Sequence, residues 1–430
     1  MLTQEENELL CRVEGDAPMG QLMRRHWTPV LLSEEVAQPD GKPVRVRVMG
    51  EDLVAYRDSE GRVGLLDEMC PHRRASLVYG RNENCGLRCL YHGWKIDVEG
   101  KVVEMFSEPT ESTLKDKVRH KAYPTHEAHG FVWAYLGPPD TMPTFSAGPI
   151  NANGESPVSI VKMRVPCNWA QITEGQIDSA HSSSLHSTDM KPARVAGAAA
   201  DEKAWYRPST DKSPKLEIER TDYGFHYAAI RRPIKQAATH NYVRVTEYVA
   251  PYVSLIPPNN LYNVASVIVP IDDTHTVFHF IAWGGTDCPD TDQWRQFCHA
   301  VPGVDLNADF SPKRTLANDF GQDRQSMTDG SFTGIDGIPN QDLAMWVGMG
   351  PIVDRSLDRL GASDRAIVEF RQLMVAAATR MRDEDQALGA GNGADDTAVD
   401  QSRIASFEGV IEKSIDWRAL EPAPRTLQNA

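Results

Sequence analysis

Long apolar runs are missing from this 430-residue chain: none approaches the roughly 18 consecutive apolar residues that a transmembrane helix requires. The opening stretch, MLTQEENELLCRVEGDAPMG, is acidic and lacks the basic and apolar regions of a signal peptide, so the expected location is the cytoplasm. Basic residues are in deficit. Forty-five Lys and Arg against 60 Asp and Glu give a formal charge of -15, which argues against unaided nucleic-acid binding and suits small-molecule or protein partners. Cysteine is sparse and odd in number. Seven residues, at 11, 70, 85, 89, 167, 288 and 298, are scattered too widely for a disulfide framework. Internal repeats are absent. There is also no convincing glycine fingerprint for a nicotinamide or flavin, since the loose GAGNG at 389–393 does not follow a strand.

The hydrophobic pattern divides the chain. Residues 1–40 read as a helical lead-in packing on later domains. From about 43 the period falls to two (PVRVRVMG, EDLVAYRD, RVGLLDE), predicting short strands that continue to GFVWAYLGP at 130–138. Pro and Gly cluster at 139–157 and mark a boundary. The expected domains are therefore 41–150, β-rich, and 151–388, an α+β domain whose sheet is flanked by helices. A linker and tail follow over 389–430, opening on the small, polar GAGNGADDTAVD. Later helices include DQWRQFCHAV and a long one with Ser363 as its N-cap.

Residues 70–100, CPHRRASLVYGRNENCGLRCLYHGWKIDVEG, carry two ligand arms, Cys70-x-His72 and Cys89-x-x-His92. Two Cys and two His are a common zinc set. A zinc finger, however, places both Cys on one arm and both His on the other, whereas here each arm has one of each. That mixture suits a Rieske [2Fe-2S] cluster, in which two thiolates hold one iron and two imidazoles the other. Pro71 stiffens the first tip, and Gly93 and Trp94 turn and pack behind the second. Cys85 is read as a spare thiol, and a lone Cys or His elsewhere as an ordinary buried side chain.

A second motif lies in CNWAQITEGQIDSAHSSSLHST, residues 167–188: Asp178-x-x-His181-x4-His186. Two imidazoles with one carboxylate form the facial triad of non-haem iron oxygenases, which leaves positions open for O₂. Positions i and i+5 are rotated by about 140° in a regular helix, so His181 and His186 converge only if the helix ends, bulges or turns near SSS. Candidates for a distant third ligand are Asp342, Asp354, Asp358 and Asp364. On the substrate side, Arg207 in WYRPST and Arg244 in NYVRVTEYV are partly buried cations suited to a carboxylate. The RRP at 231–233 reads as charge at a sheet edge.

The two arms, together with Asn168, Trp169, Gln171, Glu174, Asp178, His181 and His186, resemble the Rieske non-haem iron aromatic-ring-hydroxylating oxygenases. The resemblance spans nearly the whole chain. FTGIDGIPNQD, GPIVDRSLDRLGASD and YGFHYAAIRRP place it nearest the phthalate dioxygenase branch. It implies a small all-β Rieske domain and a helix-grip-like catalytic domain with a curved antiparallel sheet. It implies Asp342 as the third iron ligand, with Gly348 or Val347 departing from the family's following Glu. It also implies that Asp178 is not a ligand but connects a Rieske imidazole of the partner subunit to His181, with His92 of the partner subunit preferred over His72 of the partner subunit. Such a carboxylate would also fix the orientation of His181.

The activity implied is cis-dihydroxylation of an aromatic carboxylate, phthalate at carbons 4 and 5 foremost, with Arg207, Arg244 and Ser179 as its binding residues. Electrons would come from a separate NADH-dependent flavin and iron–sulfur reductase, and the subunits would form trimers or stacked trimers. Chlorobenzoate-type dioxygenation, or O-demethylation or monooxygenation on the same scaffold, are alternatives. A pure electron carrier would leave the second motif unused.

Overall fold

The computed structural model describes residues 1–150, 158–192, 205–257, 262–284, 288–390, 401 and 404–420. It divides into two compact units, Val13–Ala147 and a larger one containing Met1–Arg12 and Gly148–Gly389 with the described residues after 398. The first forty residues are thus shared between units. The helix Gln4–Cys11 belongs to the larger unit and the helix Pro18–Arg24 to the smaller one. Residues Trp27–Leu32, expected to be helical, form a strand paired with Phe131–Tyr135. β-Branched Thr28 and Val30 favour that state. Pro29, which has no N–H to donate, sits at the irregularity in the pairing.

The smaller unit is all-β apart from the helix Pro18–Arg24 and short helical turns. Its four-stranded sheet runs in the order Val44–Val48, Glu51–Arg57, Val63–Asp67 and Ala122–Tyr123. A second, Arg81–Glu83, Gly86–Arg88, Trp94–Ile96 and Val102–Met105, carries the second ligand arm, and the Trp27 strand heads a three-stranded sheet. Val54, Tyr56, Leu66, Leu87, Trp94 and Ile96 share one buried core with Cys70 and Cys89, so the thiols are fixed by the packing of the domain itself.

The larger unit is built on an eight-stranded antiparallel sheet. Its order is Val158–Val165, Thr276–Trp283, Asn263–Pro270, Val253–Leu255, His240–Val249, Gly224–Arg231 and Lys215–Thr221. The strand Phe407–Glu412, from the C-terminal tail, pairs with one end of His240–Val249 while Val253–Leu255 pairs with the other. The helices Trp169–Gln176, Ile338–Gly348 and Arg365–Glu384 flank this sheet, completing the α+β class that the sequence predicts. The long helix is preceded by a 3-10 turn over Ala362–Asp364 that contains Ser363, so Ser363 is not its N-cap; Asp364 is. The polar stretch after 390 lies outside the described residues up to 400. Among the described residues no helix is long and apolar enough to cross a membrane.

Candidate active site

The two ligand arms adopt the same loop. In the first, the Cys70 N–H donates to the Ala75 carbonyl at 2.9 Å and the Arg74 N–H returns to the Cys70 carbonyl at 3.0 Å. In the second, Cys89 donates to the Trp94 carbonyl at 2.8 Å and Gly93 returns to Cys89 at 3.0 Å. The residue four past each Cys takes positive φ, 61° at Arg74 and 73° at Gly93. At Gly93 an added Cβ would also fall 2.7 Å from the Phe106 ring, so only glycine fits. Each loop therefore roots its Cys in the core, with Cys70 and Cys89 1% and 3% exposed, and carries its His outward to a half-buried position. This is why both arms are mixed: each contributes one inner thiol and one outer imidazole.

The outer rings of His72 and His92 meet edge to face with centroids 4.5 Å apart, and His72 stacks on Trp94 at 4.6 Å. Among the described residues no three of these four donors converge within 4.8 Å, as a single zinc would require. A thiol pair and an imidazole pair held apart fit a two-iron cluster. Burial, with Cys89 adding to it, pushes the Cys70 thiol up to about 11, so a metal must be bound for the thiolate to prevail at neutral pH.

The second centre starts from the helix Trp169–Gln176. Asn168 caps it, accepting from the Ala170 N–H and donating to the Cys11 and Asp273 carbonyls. Gln171 bridges to the backbone of Trp346, Gly350 and Val353. Glu174 accepts from Arg355 and Arg371, each at 2.7 Å. The helix ends before Asp178, earlier than the SSS segment. Asp178 then accepts the Ala180 N–H at 2.7 Å and the His181 N–H at 3.3 Å, starting a 3-10 turn over His181–Ser183. This double break brings His181 and His186 onto one point. Their Nε2 atoms are 3.1 Å apart, and Asp342 Oδ1, from the second turn of Ile338–Gly348, lies 3.6 and 3.2 Å from them. An ion about 2.1 Å from each donor would subtend these separations at about 95–120°, so one ion can touch all three on one side, as the facial set of an iron site requires.

The nitrogens not facing the ion point are oriented by other groups. His186 Nδ1 donates to Gln341 Oε1 at 2.7 Å, while Gln341 is fixed by its own bonds to Asp189 and the Ile335 carbonyl. Asp178 Oδ2 lies 3.4 Å from His181 Nδ1. Asp342 Oδ2 accepts from Gln176, which Ser266 holds in turn. The other acids do not reach this point. Asp354 caps the turn Arg355–Leu357, Asp358 pairs with Arg371, and Asp364, at the N-cap position of the long helix, accepts from the Gly361 N–H.

The triad opens into a cavity that Ile256, Phe278, Phe280, Ser179, Arg207 and Arg244 also line. Arg207, Arg231 and Arg244 are all buried, 7%, 3% and 3% exposed, and the Nε of each has no hydrogen-bond partner. Arg207 donates to Ser182 Oγ and Met190 Sδ, Arg231 to Ser179, and Arg244 to the Pro257 carbonyl. Burial, with the nearby Arg244, pushes Arg207 down to about 9 and Arg231 to about 10. The expectation that 231–233 is sheet-edge charge fails for Arg231. Its strand lies between two others, and Tyr227, Ala229 and Arg231 alternate onto the face of their cross-strand partners Thr246, Arg244 and Tyr242. That period of two was the available signal. Nothing local announced Gln341.

A Rieske-type cluster loop in one unit and a facial triad beside a buried cationic pocket in the other define an iron oxygenase. A Rieske [2Fe-2S] domain matches residues 26–119, and the family described as LigXa C-terminal domain like matches residues 134–429. The chain is 61% identical to the phthalate 4,5-dioxygenase oxygenase subunit of Pseudomonas putida, over 97% of this chain and 94% of that one. It is 35% identical to the 3-chlorobenzoate-3,4-dioxygenase oxygenase subunit of Comamonas testosteroni, over 97% of each. The terminal oxygenase of carbazole 1,9a-dioxygenase from Novosphingobium sp. KA1 shares the fold, with a TM-score of 0.56 at 21% identity, over 86% of this chain and 96% of that one. The chain belongs to the Rieske non-haem iron aromatic-ring oxygenases, with a [2Fe-2S] cluster and a mononuclear iron as its cofactors.

Proposed function

We propose that this chain is the oxygenase subunit of a system that cis-dihydroxylates phthalate at carbons 4 and 5. The observation that carries this reading is the cluster of three buried guanidiniums beside the triad, at least two of them lining its cavity. A buried acid, Glu408, lies 3.6 Å from the Nε of Arg244. Cations so placed call for an anion, and a guanidinium fork matches a carboxylate. A ring with two adjacent carboxylates satisfies Arg207 and Arg244, while Arg231 orders Ser179 against the same end. Ile256, Phe278 and Phe280 exclude water from the ring, whose far carbons then face His181, His186 and Asp342.

Iron held by those three residues would supply O₂ activation. The residues around it hold the geometry: Gln341 keeps the proton of His186 on Nδ1 so that Nε2 is free, and Gln176 fixes the second oxygen of Asp342. Asp178 connects His181 to His92 of the partner subunit. Its carboxylate, 18% exposed, keeps one edge open for that imidazole while burial is outweighed by His181 and two backbone N–H groups, which keep it ionised. This role needs a homo-oligomer, trimers or stacked trimers, and a separate NADH-dependent flavin and iron–sulfur reductase feeds the Rieske cluster. O₂ uptake by the iron-loaded oxygenase with such a reductase, coupled to phthalate and yielding a dihydrodiol, tests the reading; uptake indifferent to phthalate would refute it.

A further inference from the structure

The strand Phe407–Glu412 does more than complete the sheet. Its register sets Glu408 directly opposite Arg244 on the pocket face, and the side chain is buried, 5% exposed. Its Oε2 lies 3.6 Å from Arg244 Nε, and the Tyr242 hydroxyl donates to Oε1. Tyr242 is also the cross-strand partner of Arg231 in the next row of the sheet, so its hydroxyl links the acid opposite Arg244 to the row that carries Arg231, and the field of Glu408 reaches Arg207 as well. Three guanidiniums buried without an anion would repel one another in a medium that screens poorly.

We propose that Glu408 is the resident counter-charge of the carboxylate pocket. It reduces the three buried guanidinium charges to a net of two, which a doubly charged ring matches, and it moderates the pocket's pull on every carboxylate, the dicarboxylate most. The proposal rests on the phthalate reading and adds a residue outside the metal ligands that sets the charge of the pocket. It has a consequence in charge number. A bound ring feels the repulsion of Glu408 once per carboxylate. Removing that charge must therefore tighten a dicarboxylate by the square of the factor for a monocarboxylate, since Coulomb energy scales with the product of charges.

The test is calorimetric titration of iron-loaded wild-type protein and Glu408→Gln with phthalate and benzoate at low salt. Gln keeps an acceptor for Tyr242 and removes only the charge. The expected result is tightening of about threefold for benzoate and about tenfold for phthalate, so that the ratio of their affinities rises. Equal changes for both rings, or weaker phthalate binding, would overturn the counter-charge while leaving the phthalate reading standing. Wild-type protein that binds no phthalate would overturn both. Should Glu408→Gln fail to accumulate, expression with phthalate in the medium must recover folded protein where benzoate does not; recovery by neither overturns the proposal.

Discussion

At the scale of single residues, distinct side chains carry distinct losses. Arg207→Ala and Arg244→Ala each remove a charge-assisted bond and should weaken phthalate binding by about 1.5–3 kcal/mol, read by titration. Unchanged affinity would make these arginines structural. Asp178→Asn should leave both iron centres occupied and slow electron transfer between them severely; normal single-turnover kinetics would remove Asp178 from the path. Legibility follows sequence distance. Cys70, His72, Cys89 and His92 stand out because each ligand pair lies within one loop, and the spacing Asp178-x-x-His181-x4-His186 stands out for the same reason. Asp342 emerged only from resemblance among four candidates. Arg231 was legible in the two-residue period it shares with Tyr227 and Ala229, whereas Glu408 stayed hidden because the face it occupies is set by pairing with a strand far back along the chain, which no local pattern states.

At the scale of elements, the helix Trp169–Gln176 aims the iron ligands, and Glu174 ties it to Arg355 and Arg371. Burial alone would raise the Glu174 carboxyl, but the two guanidiniums outweigh it and hold it below its ordinary value of 4.5. A depressed folded value means that the stabilisation is present above the unfolded carboxyl's pKa and is lost as pH falls through the folded one. Glu174→Gln should therefore cost about 3–5 kcal/mol at neutral pH by leaving the buried Arg355 without its anion and Arg371 with Asp358 alone, and the gap to wild type should close in acid. Thermal denaturation against pH measures this, and a gap independent of pH would contradict it. The break that lets His181 and His186 converge was legible as a necessity, because no regular helix brings i and i+5 together. Its position was not: the side chain of Asp178 captures the Ala180 and His181 N–H groups and starts the turn there. The strand Trp27–Leu32 was misread as helix because its apolar residues fit both periods, and the partner that settles the matter is about a hundred residues away.

At the scale of the whole molecule, the candidate ligands of each proposed iron centre all fall within one compact unit, Cys70, His72, Cys89 and His92 in the smaller and His181, His186 and Asp342 in the larger. The centres should therefore be separable: His181→Ala should remove the mononuclear iron and leave the Rieske absorption and paramagnetic resonance intact. Loss of the Rieske spectrum would mean the ligand sets are wrongly divided. The boundary between a β-rich part and an α+β part is read from the Pro and Gly cluster at 139–157, and the change of hydrophobic period near 43 marks only where the strands begin. The C-terminal strand's return to the sheet was not, since six residues after a polar stretch carry no sign of which edge they join. The measurement that bears most directly on the whole account is O₂ consumption by the iron-loaded oxygenase with a reductase and NADH, against phthalate, isophthalate, terephthalate, benzoate and 3-chlorobenzoate, with product masses. Tight coupling to phthalate with two oxygen atoms added is the predicted result. Turnover confined to a singly charged ring, or loss of a methyl group from an aryl ether, would contradict the pocket while leaving both iron centres in place.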